Sequence, residues 1–152
     1  MAHRNIKLSV FLFMSEEMVC LSGFINNCLA YKRDADIMRS TVVGEVMYQS
    51  PEMHAMCSQI WPYDAKASDM YAMGVSLFLM VNFDPPFDIN LYSINHIYYI
   101  LKQRNRDYHF NPKYESDIGA KLKSLIYLLL EPIPGERINA SSALIHEALL
   151  PD

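Results

Sequence analysis

The feature that most constrains this chain is the run from Met70 to Val81. Met70, Tyr71, Ala72, Met73, Val75, Leu77, Phe78, Leu79, Met80 and Val81 surround a helical axis on every side. A helix that is apolar all round has no face to give to water, so it must be the buried centre of a fold. Ser68 or Asp69 is expected to cap it, and Asn82 to end it, ahead of Pro85-Pro86. The remaining helices then have to wrap this one. The spacing predicts a helix over Leu91 to Arg104, with Leu91, Ile94, Tyr98 and Leu101 as its buried stripe. It predicts another over Asp117 to Leu130, with Ile118, Leu122, Leu125, Ile126 and Leu129 facing inward. A last helix is expected from Ala140 to Leu149, capped by Asn139. Asn139-Ala140-Ser141 is formally a glycosylation sequon but reads as this cap.

The first third differs. Ile6 to Phe11 alternates and merges into the apolar run Leu8 to Met14, which reads as a short strand entering a buried segment. Residues 15 to 50 carry no sustained period and read as one long irregular segment. Its length points to function rather than to plain connection. The whole is therefore a mainly α domain with an extended N-terminal third, and 152 residues suit a single domain.

Charge and cysteine content exclude several classes. A net charge of −4 and a pI near 5.7 give no basic face for nucleic acid or for an anionic membrane. No apolar run approaches the ~18 residues that cross a bilayer. The run after Arg4 and Lys7 is short and is followed by Glu16-Glu17, so it does not read as a signal peptide. Cys20, Cys28 and Cys57 form no disulfide framework and no zinc spacing, which implies a reducing, cytoplasmic setting and no metal.

Three groups of residues, in order, carry a resemblance. Ser50-Pro51-Glu52 closes the irregular segment. Asp69-Met70-Tyr71-Ala72-Met73-Gly74 opens the buried helix. Pro134-Gly135-Glu136-Arg137 precedes the last one. Together they resemble the C-terminal lobe of a eukaryotic protein kinase. Ser50-Pro51-Glu52 is similar to the A-P-E motif that ends the activation segment, and Asp69 to Gly74 to the start of the central helix. The stretch from Leu125 to Arg137 is similar to the testis-specific serine/threonine kinases, within the calcium/calmodulin-kinase-like group. The resemblance implies an activation segment over about 10–52 and a helical subdomain over about 68–150. It implies an ion pair between Glu52 and Arg137, and a regulatory phosphorylation at Thr41. It gives Asp69 either a helix cap alone, or a cap together with a contact to the catalytic loop.

The family's chemistry needs a Gly-rich loop, a strand lysine, an H-R-D loop and D-F-G, which together hold ATP and magnesium. The chain contains no G-x-G-x-x-G and no V-A-I-K-like strand, so the small N-terminal lobe is expected to be absent. His3-Arg4-Asn5 reads as a polar terminal turn rather than an H-R-D loop, because its metal-binding Asn would fall on Val10. The D-F-G position is assigned to Val10-Phe11-Leu12, delivered by the strand before it, with valine in place of the magnesium-binding Asp. No catalytic residue, cofactor or metal is predicted. The expected function is an inactive, pseudokinase-type protein-binding module or remnant. The alternative is a piece of an active ATP-dependent serine/threonine kinase. A protein partner is expected on the Leu91–Arg104 helix, through Tyr92, Ile97, Tyr99 and Ile100, or on an unpaired edge of the strand at Ile6 to Phe13.

Overall fold

A computed structural model of the chain describes residues 1–24, 38–39, 42–55 and 63–151. Thr41, Cys28 and Cys57 lie outside these residues. In chain order the elements are β1 (Phe11–Ser15), β2 (Met18–Leu21), β3 (Met38–Arg39), α1 (Pro51–Ala55), β4 (Tyr63–Asp64), α2 (Ala65–Asn82), α3 (Ile89–Ile94), α4 (His96–Arg104), α5 (Pro112–Glu115), α6 (Ala120–Leu129) and α7 (Ala140–Leu144). The fold is mainly helical, and α2 is its centre. Tyr71, Val75 and Phe78 of α2 are fully buried, against Tyr99 of α4 and Ile126 and Leu130 at α6.

α2 starts earlier than its sequence predicts. Asp64 is the cap: its carboxylate accepts from the backbone N–H of Lys66 at 2.8 Å and of Ala67 at 3.1 Å. Ser68 and Asp69 sit inside the helix because their side chains have other partners. Ser68 Oγ shares a hydrogen bond of 2.6 Å with Ser50 Oγ, buried beneath α1. The helix ends at Phe83, which takes a left-handed φ of 62° and donates to Leu79 O. α6 packs directly on α2 at Gly74. A Cβ there would lie 2.8 Å from Leu129 Cβ and 3.1 Å from Leu130, so only glycine admits this approach.

The helix expected over Leu91 to Arg104 is two helices. Asn95 (φ −151°, ψ 85°) interrupts it and accepts from Tyr98 N at 3.0 Å, capping α4. An asparagine side chain that can bond its own backbone favours a cap over a helix interior. The break also turns the second half over. Tyr99 and Gln103 are buried, whereas Ile94, Tyr98 and Leu101 of the expected inner stripe are exposed. Tyr99 enters an aromatic group with His54, Phe87 and Tyr92. Gln103 Nε2 donates to Gln49 O at 3.0 Å. The last helix stops at Leu144 rather than Leu149, because His146 Nδ1 takes the N–H of Ala148 at 3.1 Å. Asn139 caps it, accepting from Ser142 N at 2.9 Å.

The N-terminal strand is displaced and paired. Leu8–Val10 forms a 3-10 turn, and the strand begins only at Phe11. It pairs antiparallel with β2, in the register Phe11↔Leu21, Leu12↔Cys20 and Phe13↔Val19. β2 lies within the stretch read as irregular. β3 and β4 form a second antiparallel pair.

Glu52 and Arg137 meet. Arg137 Nη1 and Nη2 donate to Glu52 Oε1 and Oε2 at 2.8 and 3.0 Å. Nε donates to Glu131 O at 2.7 Å, Nη1 also to Ala67 O at 2.7 Å, and Nη2 to Pro132 O at 3.4 Å. Every one of the guanidinium's five N–H groups has an acceptor. A lysine has neither the fork nor the donors to replace it.

Three outcomes follow from this packing. Arg137→Ala strands Glu52 and is expected to cost about 3–5 kcal/mol in denaturant unfolding. The Glu52→Gln/Arg137→Met double change should cost less than the sum of the single ones. Gly74→Ala, which raises helix propensity, should nonetheless destabilise by about 1–3 kcal/mol through overpacking against Leu129.

A further outcome concerns His54 on α1, which is 1% exposed. Its ring nitrogens form no hydrogen bond of good geometry, and the nearby backbone of Gln49 and Val46 favours the protonated ring only weakly. Burial first, then the nearby His96, pushes its pKa down from 6.5 to about 4. The depressed value makes its contribution to stability complete above pH 6.5 and lost as pH falls toward 4. That contribution should shrink by about 2 kcal/mol by pH 5. Burial raises Asp69 in the opposite sense, so the test is the difference between the wild type and His54→Leu across pH 8 to 5. The wild type should show the steeper loss.

Candidate functional site

The site is built around Asp69, one turn into α2. Its two carboxylate oxygens accept from consecutive backbone N–H groups, His3 at 2.5 Å and Arg4 at 2.7 Å. Burial pushes the Asp69 carboxyl above the ordinary carboxylate range, while these two N–H groups pull it back. Arg4 itself has φ 65°, a left-handed conformation that costs a non-glycine residue about 1–2 kcal/mol. The clamp offsets that strain. Asp69 therefore makes a tertiary contact and is not the cap of its helix.

His3-Arg4-Asn5 is not a solvated terminal turn. His3 is 4% exposed. Its Nδ1 accepts from Asn5 N at 3.2 Å, which leaves the proton on Nε2, and Nε2 donates to Ser22 O at 2.7 Å. The imidazole meets the Phe24 ring edge to face, with centroids 4.7 Å apart. The loop is thus held on three sides, by α2, by its own backbone and by the segment that follows β2.

A second wall comes from the segment before α1. Gly44 has φ 86°, and a Cβ on it would lie 3.2 Å from Arg4 O and 3.6 Å from Asn5 Oδ1. Gln49 Nε2 donates to Gly44 O at 3.0 Å, and Lys7 pairs with Glu45 across the gap. Arg4, Asn5, Tyr48, Gln49, Ser68 and Asp69 line a small, half-open cavity between the walls, about 20 Å³. That is space for a water molecule and not for a nucleotide.

Val10 lies near the His3 ring, across Gly23. It is buried, and its carbonyl accepts from both Ser22 N at 2.8 Å and Ser22 Oγ at 2.9 Å. Gly23 (φ 82°) faces it: a Cβ there would lie 3.3 Å from Val10 Cγ1 and 3.7 Å from the His3 ring. Phe11 and Leu12 open β1, so Val10-Phe11-Leu12 precedes the strand instead of following one. The strand that was expected to deliver a D-F-G to Val10 does not exist. Phe11 packs on the main core, as expected of it, and Leu12 is exposed.

The other candidate residues fall as follows. Ser50, Pro51 and Glu52 begin α1 and tie it to α2 and Arg137. Gly74 serves packing. Thr41 lies outside the described residues. Among the described residues there is no group of three or more metal-binding side chains, and no helix is long and apolar enough to cross a membrane. Sequence reasoning missed the roles of His3, Gly44, Gln49 and Gln103.

The chain matches the protein kinase domain family over residues 1–149. It is 29% identical over 151 residues to testis-specific serine/threonine-protein kinase 2 of Mus musculus, covering 98% of this chain and 39% of that protein. It is 32% identical over 145 residues to calcium-dependent protein kinase 3 of Plasmodium berghei (strain Anka), covering 95% of this chain and 24% of that protein. CaM kinase-like vesicle-associated protein of Xenopus laevis is 28% identical over 152 residues, with 38% of its length covered. The chain spans less than half the length of these relatives. An ordered set of kinase motifs, an aspartate of the central helix clamping an H-R-x backbone and a match over nearly every residue lead to one assignment: the chain belongs to the protein kinase domain family.

Proposed function

We propose that the chain is the C-terminal lobe of a serine/threonine-type protein kinase domain that has lost phosphoryl transfer and works as a protein-binding module. The grip of Asp69 on the His3 and Arg4 amides carries this reading. It supports taking His3-Arg4-Asn5 as the H-R-D loop, against the sequence-based reading of a polar turn. The interval then fits H-R-D-L-x-x-x-N, with Val10 in the place of the metal-binding asparagine. β2 leads toward Gly23 and Phe24, which replace Val10 and Phe11 at the first two places of the D-F-G position.

In this register each of the three side chains the reaction needs is replaced. Asn5 stands where the catalytic base would accept the substrate's proton, and a neutral amide is not a base at that task. Val10 and Gly23 stand where two magnesium ligands would be, and neither has a side-chain oxygen. These residues do not fit a magnesium–nucleotide. The three changes are internal to the segment, so a small lobe supplied from elsewhere in a longer protein would not reverse them. That disfavours an active kinase. What remains is a folded surface, which supports a binding role.

Calorimetric titration of the chain, and of the longest natural protein that contains it, tests the reading. Neither should show saturable binding of magnesium–ATP, and neither should transfer labelled phosphate to protein substrates. A magnesium-dependent site in the micromolar range, with transfer lost on Asn5→Ala, would overturn it.

A further inference from the structure

α1 meets α3 and α4 through a histidine. The buried His54 ring lies 5.2 Å from Tyr92 of α3 and 5.4 Å from Tyr99 of α4, centroid to centroid. Tyr92 in turn packs on His96 at 5.5 Å. His96 Nε2 is buried without a hydrogen-bond partner, and so are Tyr99 Oη and Gln103 Oε1 on α4. Each such atom has given up water without gaining a protein partner, which takes stability from the contact that buries it. The α1–α4 contact is therefore held by ring packing, against the preference of its polar atoms.

A positive charge on His54 would find no counterion there. Among the described residues, the ionisable groups that face it are His96 and Tyr99 from α4 and Tyr92 from α3. His96 repels such a charge. Glu52, on the same helix as His54, is engaged by Arg137. Asp88, at the start of α3, is taken up by the backbone and side-chain N–H groups of Asn90. Burial, then His96, holds the His54 pKa at about 4 in the closed contact. With the contact open and the ring in water, it returns to the ordinary value near 6.5. Falling pH therefore favours the open form.

α4 also reaches the candidate site. Gln103 Nε2 donates to Gln49 O at 3.0 Å, and Gln49 Nε2 donates to Gly44 O at 3.0 Å and to Val43 O at 3.4 Å. Gly44 lies against Arg4 and Asn5. We propose that the α1–α4 contact is a proton-sensitive latch: protonation of His54 parts the α3–α4 pair from α1 and, through Gln103 and Gln49, loosens the Gly44 wall of the site. α1 stays in place on the Glu52–Arg137 pair. α2 and α6 stay packed, because the contact between them is apolar, with Leu125 and Leu129 among Met70, Met73 and Leu77. The latch belongs to the folded chain and does not depend on the protein-binding reading.

Native-state amide exchange of the whole chain, corrected for the intrinsic rates of free peptide, tests the latch between pH 8 and 5. At low urea the α4 amides should exchange independently of urea, unlike those of α2 and α6, which marks a local opening. Their opening constant should rise about thirtyfold from pH 8 to 5, and His54→Leu should flatten that rise. The amides of Tyr48 and Gln49, bonded to the carbonyls of Glu45 and Val46, report the wall and should open with α4. Gln103→Leu, which keeps the side chain's bulk without the donor, should open these two at every pH and leave the α4 response in place. An α4 that follows urea as α2 does, a constant that ignores pH, or an undiminished rise in His54→Leu would overturn the proposal. So would wall amides indifferent to pH or to Gln103→Leu. No arm involves nucleotide, so a failure here is distinct from a return of magnesium–ATP binding.

Discussion

The carboxylate of Asp69 is the point on which the architecture turns. It is partly buried, and a carboxylate withdrawn from water is tolerated only where hydrogen-bond donors replace the water. Two consecutive amides, His3 and Arg4, supply them. This ties the first residues of the chain to the first turns of α2, 65 or more positions away. The same turns hold two more tethers: Ser68 to Ser50, and the carbonyl of Ala67 to Arg137. The start of α2 is therefore where the N-terminal loop, α1 and the segment before α7 are brought together.

On the proposed reading, this arrangement lets a kinase scaffold persist without phosphoryl transfer. The clamp acts on backbone N–H groups, which are present whatever side chain stands at residue 5. His3 supports the loop through its ring, and Gly44 through its lack of one. Nothing in that framework requires an oxygen at Asn5, Val10 or Gly23. Gly23 approaches Val10 so closely that a Cβ on it would lie 3.3 Å from Val10 Cγ1. On the proposed reading, selection for folding has kept the loop while selection for phosphoryl transfer has lapsed.

The legible parts of the sequence were those where one physical signal dominates. The all-round apolar pattern of Met70 to Val81 had a single solution, a buried helix. Glu52 and Arg137 were found through their motifs, since no local period links residues 85 positions apart. The face of α4 was not legible. Its most regular apolar stripe points to solvent, because Asn95 breaks the helix and the aromatic group around Tyr99 outweighs the stripe. The β1–β2 hairpin was hidden for a related reason: nearly all of its residues are exposed, so no alternation marks a buried face. The His3-Arg4-Asn5 loop was set aside because its sixth position is valine. On the proposed reading the loop keeps the family's register, and the valine stands where the metal-binding asparagine would be.

Amide hydrogen exchange at His3 and Arg4 tests the central claim most directly. The third and fourth residues of a chain ordinarily exchange at the rate of unfolded peptide. If Asp69 clamps both amides, they should be protected nearly as well as the α2 backbone, and Asp69→Ala should abolish that protection while α2 keeps its own. Free exchange at both residues in the wild-type chain would contradict the clamp, and with it the register on which the lost base and metal ligands are assigned.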